Sequence, residues 1–239
     1  MYRIYDQVVY QRTARGWVAV RADDVRSSAC ITIPTSIGGV PVAGIAEGAF
    51  SDDRYIETLV VAPGATFIGA YAFASCPHLA EIWLPDTVRR IGEGAFRFCR
   101  RLRFVILPWY LKRIREETLF GCNAMTFVAL PEKCEAFEWL SFLHDGKEQP
   151  RIWAPRRLTS SELADALAGN ALTLLEMGKE ITAVQCCRYR MVAGCPEPVR
   201  ETKHTEIRVN DVSRDGAIRA CLGNAVADAY ARPWAELHA

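Results

Sequence analysis

The chain has 239 residues, half of them apolar (50%), with 29 Lys and Arg against 28 Asp and Glu and a formal net charge of +1. That length suffices for one large or two modest domains with a sizeable core, and so even a charge balance gives no global pull toward nucleic acid or an acidic membrane surface. The cysteines number nine, an odd set without CxxC spacing, so a secreted chain would leave at least one thiol unpaired. No apolar run approaches membrane-spanning length, and residues 1–6 lack the apolar core of a signal peptide. The expectation is a cytoplasmic protein with reduced thiols, or a surface or secreted one if a leader is missing.

Residues 2–10 (YRIYDQVVY) and 16–21 (GWVAVR) are rich in β-branched and aromatic side chains, and a short polar turn through Thr13 and Gly16 joins them. They predict a hairpin, placed to cover the exposed first edge of whatever follows. Ile31 and Ile33 supply the next short strand, and Pro34, which has no N–H to donate, ends it.

From Ile45 the sequence restarts every 23 residues. Stacking IGAYAFASCPHL, IGEGAFRFCRRL and IREETLFGCNAM aligns Ile68, Ile91 and Ile114. It also aligns Phe73, Phe96 and Leu119, then Cys76, Cys99 and Cys122, then Leu79, Leu102 and Met125. Upstream, Ile45, Phe50 and Ile56 keep the register, with Asp53 in the cysteine column. A fixed period of this length marks coils that bury their faces only against each other. Strands are predicted at 59–61, 82–84, 105–107 and 128–130, with Pro85, Pro108 and Pro131 closing three of them. Each is followed by a turn and a short helical or irregular segment carrying Ala-Phe. After Pro131 the pattern decays, and Arg151–Pro155 matches only with one inserted residue.

The run CITIPTSIGGVPVAGIAEGAF (residues 30–50), followed by units of the form I-G-x-x-A-F-x-x-C-x-x-L-x-x-I-x-L-P, resembles the BspA-type leucine-rich repeats over roughly residues 1–155. The resemblance implies a leucine-rich-repeat-like right-handed solenoid with short parallel strands. It further implies a noncatalytic protein that binds proteins or host surfaces and is commonly secreted or surface-displayed.

Residues 156–239 are predicted as a separate small α+β module in the order α-β-β-α. A helix spans about 161–177, strands run over 181–192 and 202–209 with a turn at 194–198 between them, and a last helix begins near Ser213 or Asp215 and stops at Pro233. That order is common to too many folds to name one.

Alternation along the predicted strands sends Ile82 and Leu84 inward and Val60, Glu81, Trp83, Phe104, Ile106 and Phe127 outward. An outward face with a Trp, two Phe and an Ile is an apolar patch of the kind that meets a protein partner or a second copy of the chain. The intramolecular alternative is the C-terminal module folding back over it. Residues 89–115 hold nine Arg and Lys against Glu93 alone. Of these, Arg89, Arg90, Arg100, Arg101, Lys112 and Arg113 are candidates for a polyanion or nucleic acid, with a solvated convex face as the blander reading. The cysteine column has no histidine or fourth thiol with which to hold a metal, and its thiols fill a slot at the turn. Cys186, Cys187 and Cys195, with His204 downstream, could be read as zinc ligands, but Cys186 and Cys187, adjacent on a strand, face opposite sides and would not readily share one ion. Strand thiols packed in a small core are the favoured reading, and no metal is expected. No catalytic signature accompanies the four histidines, and no cofactor motif is present. The leading expectation is a noncatalytic interaction scaffold that uses the strand face of the repeats. The alternative is a nucleic-acid-associated protein that uses the basic turns and the C-terminal module.

Overall fold

The computed structural model describes residues 1–23, 29–131 and 133–137. Further along it describes the strands of residues 151–153, 173–175, 181–185, 188–192, 195–199 and 204–207, together with Arg219. Strands β1 (Tyr2–Tyr5), β2 (Val8–Thr13) and β3 (Gly16–Ala22) form the cap, and β4 (Cys30–Ile33), β5 (Ser36–Ile37) and β6 (Val40–Ile45) open the repeats. Short strands then alternate in space from β7 to β15: β7 (Thr58–Val61), β8 (Phe67–Ile68), β9 (Glu81–Trp83), β10 (Arg90–Ile91), β11 (Phe104–Ile106), β12 (Arg113–Ile114), β13 (Phe127–Ala129), β14 (Ala136–Phe137) and β15 (Arg151–Trp153), with β16 (Thr173–Leu175) after them. Four more follow, β17 (Ile181–Gln185), β18 (Arg188–Val192), β19 (Cys195–Val199) and β20 (His204–Ile207).

These strands build a parallel β-solenoid of two strand columns and one turn column. In the first column β4 pairs with β7 and β7 with β9, while β11, β13, β15 and β16 continue it, with Leu59 beside Ile82, Val105 beside Val128 and Ile152 beside Leu174. The N–H of Arg103 reaches the carbonyl of Ala80 at 3.3 Å where β9 gives way to β11. In the second column Ile45 lies beside Ile68, Ile68 beside Ile91, and Ile114 beside Phe137. The sequence pattern aligned these isoleucines but did not read them as strands, because a two-residue strand is too short to alternate.

The third side of each coil is a run of turns, the irregular one of the two forms expected there and not the helical one. Alternate N–H groups leave the coil to bond its neighbour: Gly48, Phe50 and Asp52 to the carbonyls of Ala70, Ala72 and Ala74, at 2.9, 2.7 and 2.8 Å. One coil later Tyr71, Phe73 and Ser75 do the same toward Glu93, Ala95 and Arg97, at 2.8, 2.8 and 2.7 Å. Left-handed residues make this possible, and they recur with the period: Gly48, Tyr71, Gly94 and Glu117 in one file, Asp52, Ser75, Phe98 and Gly121 in another. A helix would have turned those N–H groups back into its own segment.

The core runs along the axis as files of identical positions. Phe50, Phe73 and Phe96 stack with centroids 5.0 and 5.7 Å apart and nearly parallel planes, all buried. Beside them the thiols of Cys76, Cys99 and Cys122 donate to the carbonyls of Phe50, Phe73 and Phe96 at 3.0, 3.1 and 3.2 Å. Each cysteine therefore ties the turn to the coil before it. Asp53, which shares that file, instead accepts the N–H groups of Tyr55 and Ile56 at 2.8 and 3.1 Å. Burial pushes the Cys122 thiol up to about 12 and raises that of Cys99 as well, so both stay protonated and inert.

At the N-terminus the expected hairpin is a three-stranded antiparallel meander. Asp6 and Gln7, both left-handed, make a tight turn inside the run read as a single strand, as two-residue hairpin turns require. Strand β3 then adds in parallel to β6, so the cap continues the second column.

Toward the C-terminus the first column runs past Pro155. Residues 173–175, inside the span predicted as a helix over 161–177, form β16 against β15. Their Thr-Leu-Leu run extends an existing ladder of apolar rungs, and tertiary pairing outweighs helix propensity. The predicted turn at 194–198 contains most of β19, antiparallel to β18, and β17 pairs antiparallel with β20. The rest of the predicted helix at 161–177 lies outside the described residues. So does the last helix, apart from the helical Arg219.

Candidate functional site

The two strand columns differ in what lies on their outer sides. In the first column Trp83 and Phe104 meet edge to face at 6.3 Å. Trp83, Phe104, Ile106 and Phe127 retain only 8%, 7%, 3% and 1% of their accessible surface in the isolated chain. Val60 and Glu81 are half-buried, and Glu81 pairs with Arg103 at 3.3 Å. The aromatic strip read as an open partner surface is therefore covered within the chain itself. Each Phe or Trp carries about 150–250 Å² of apolar surface, so these rings gain more by intramolecular burial than by waiting for a partner. Little exposed surface is left on these four side chains for a partner or a second copy of the chain.

The second column is open on its outer side. A groove of about 570 Å³ crosses three coils there. Its lining is residues 67–70 of one coil, 89–93 of the next, and Lys112, Arg113 and Arg115 of the third. The floor is close-packed backbone: a Cβ on Gly92 would lie 2.3 Å from the Ala70 nitrogen. The walls are cationic, with five Arg and Lys facing the one carboxylate of Glu93. Two guanidinium groups rest on rings, Arg89 over Tyr110 at 4.1 Å and Arg90 over Phe67 at 5.7 Å. Such stacking holds the planar group while leaving its N–H edge exposed. At the groove's edge the Tyr71 hydroxyl donates to Glu93, and that bond is the first cause of a tyrosine pKa pushed up to about 12.

The basic set divides accordingly. Arg89, Arg90, Lys112 and Arg113 line the groove, and Arg115, not singled out by the sequence, joins them. Arg100 and Arg101 are exposed on the turn after Cys99 and do not line it. Neighbouring coils supply acids that sequence proximity does not reveal: Glu117 to Arg97 at 2.5 Å and Glu135 to Lys112 at 2.9 Å. Among the described residues Arg89, Arg90 and Arg113 form no ion pair. Charge counted along the chain thus overstates the basic field, because the period places carboxylates across from arginines.

Among the described residues no group of three or more His, Cys, Asp or Glu side chains comes together to hold a metal, and no helix is long and apolar enough to cross a membrane. Cys186 and Cys187 lie outside the described residues, while Cys195 begins β19 and His204 begins β20.

Parallel coils with an apolar file at every 23rd residue, stacked phenylalanines and a repeated thiol define a leucine-rich repeat solenoid. Residues 30–147 belong to the BspA type leucine rich repeat region family, matched in six copies. Among solved structures the chain is similar to a leucine rich repeat protein of T. pallidum, with a TM-score of 0.60 and 25% identity over 66% of this chain and 74% of that one. It is also similar in fold to a leucine rich cell surface protein of Faecalibacterium prausnitzii, with a TM-score of 0.52 and 20% identity over 84% of this chain and 62% of that one. Comparison with curated proteins gives no significant match. Leucine-rich repeat proteins are generally interaction scaffolds and generally not enzymes.

Proposed function

We propose that the chain is a noncatalytic scaffold that binds a protein partner on the strand face of its second column. The observation that carries this reading is the open groove over β8, β10 and β12, lined by exposed Arg90 and Arg113, beside a first column whose aromatic strip is buried. A rigid floor with long polar side chains on its walls suits recognition, since little ordering is required of the scaffold on binding. The repeat thiols Cys76, Cys99 and Cys122 are buried and unpaired by disulfides, so stacking of the repeats calls for no disulfide among them in a reducing cytoplasm or at a cell surface. A nucleic-acid role loses two of its six candidate residues, because Arg100 and Arg101 lie off the groove.

The test is selection of displayed random peptides on the full chain, followed by binding of the winners to the double variant Arg90→Glu, Arg113→Glu. Winners that lose binding to this variant support the assignment. Winners that bind it as they bind the parent place the working surface elsewhere and overturn it.

A further inference from the structure

The groove's charges, rings and dimensions together specify the chemistry of its occupant. Arg90 pairs in register with Phe67 on β8, and Arg113 holds the equivalent position one coil on. Successive coils in a parallel ladder are about 4.8 Å apart, so the three coils of the groove span about 10 Å, the length of about three extended residues. Three cations there, Arg89, Arg90 and Arg113, have no carboxylate partner among the described residues. Of the other two lining cations, Lys112 and Arg115, Lys112 holds Glu135 through a pair exposed on both sides, which an incoming carboxylate can exchange at little cost.

A polynucleotide fits these features poorly. Its affinity rests on many phosphate contacts and on bases stacking against free aromatic faces, whereas here the site is short and the rings of Phe67 and Tyr110 already carry Arg90 and Arg89. An extended peptide fits well, because alternate side chains of a strand point to the same side. Glu93, held by Tyr71, repels an acid at its end of the groove and so limits the number of acidic side chains that can be seated.

We infer that the groove over β8, β10 and β12 receives a short extended segment of a partner protein, with Asp or Glu at alternate positions lying along the solenoid axis against Arg90 and Arg113. The inference rests on the second column being the binding surface and adds the chemistry of what binds there.

The test is fluorescence anisotropy of the full chain with four probes: a peptide carrying two glutamates at alternate positions, its isomer with the two glutamates adjacent, the same alternate peptide with glutamine, and a single-stranded oligonucleotide. The alternate-glutamate peptide is expected to bind best, to weaken as salt is raised, and to lose about tenfold or more in affinity to the variant Arg90→Glu, Arg113→Glu. The variant Arg100→Glu, Arg101→Glu, altered off the groove, is expected to bind like the parent, which separates the site from a general loss of positive charge. Equal binding of the glutamine peptide, no loss in the groove variant, or tighter binding of the oligonucleotide overturns the inference. Should displayed peptides of another chemistry depend on Arg90 and Arg113, the scaffold reading stands and the acidic class alone falls.

Discussion

The two strand columns come from the same 23-residue unit and are set against the same core, yet one is closed on its outer side and the other is open. In the first column the outward positions hold Trp83, Phe104, Ile106 and Phe127, and all are buried. In the second, Arg90 and Arg113 occupy the outward positions of strands whose inward residues, Ile91 and Ile114, are buried in the core. The repeat therefore fixes only the inward half of each strand. The outward half is free to vary, and its chemistry decides whether a column becomes a second core or a binding surface.

The largest effect that would test this contrast is on the closed column. Trp83→Ala is expected to lower unfolding stability by about 3–5 kcal/mol, the range for removing a buried ring, read from the urea midpoint with an unchanged slope. An unshifted midpoint would mean the ring faces solvent and the columns differ in charge alone. An intermediate loss is expected from the floor of the open column. Gly92→Val would press its Cβ against the Ala70 backbone and cost about 1–3 kcal/mol by overpacking, again measured with urea. The smallest effect belongs to the groove's walls: Arg90→Glu with Arg113→Glu should change stability by no more than about 0.5 kcal/mol, as for surface positions generally, checked by thermal unfolding. A large loss there would make those arginines part of the scaffold's support and blur the distinction between the columns.

Much of this architecture was legible in the sequence because the inward positions are strict. Ile68, Ile91 and Ile114, the phenylalanines and the cysteines announce the period, and the period gives the stacking. The turn column was legible only in part: Gly48, Gly94 and Gly121 signal it, but the equivalent left-handed sites at Tyr71, Ser75, Phe98 and Glu117 carry ordinary side chains, which left a short helix open as an alternative. Nor did alternation reveal the cover on the aromatic strip: it states that Trp83 and Ile82 face opposite ways, and says nothing of what approaches either. The basic residues were visible as a cluster. Their division into groove-lining Arg89, Arg90, Lys112 and Arg113 and outlying Arg100 and Arg101 depends on which side of the coil each turn occupies. That is set by the third column.

The turn-to-turn bonds have one more consequence, for how such a molecule can change over generations. Gly48, Phe50 and Asp52 offer their neighbour the same N–H groups that Tyr71, Phe73 and Ser75 offer theirs, so a whole coil can be duplicated or deleted between them with every junction restored. Such an event would lengthen or shorten the cationic trough by one rung, about 4.8 Å, leaving the rest of the chain intact. Ligand length in this kind of protein would then evolve in discrete steps, by unequal recombination, while point substitutions at the outward positions tune which ligand is held.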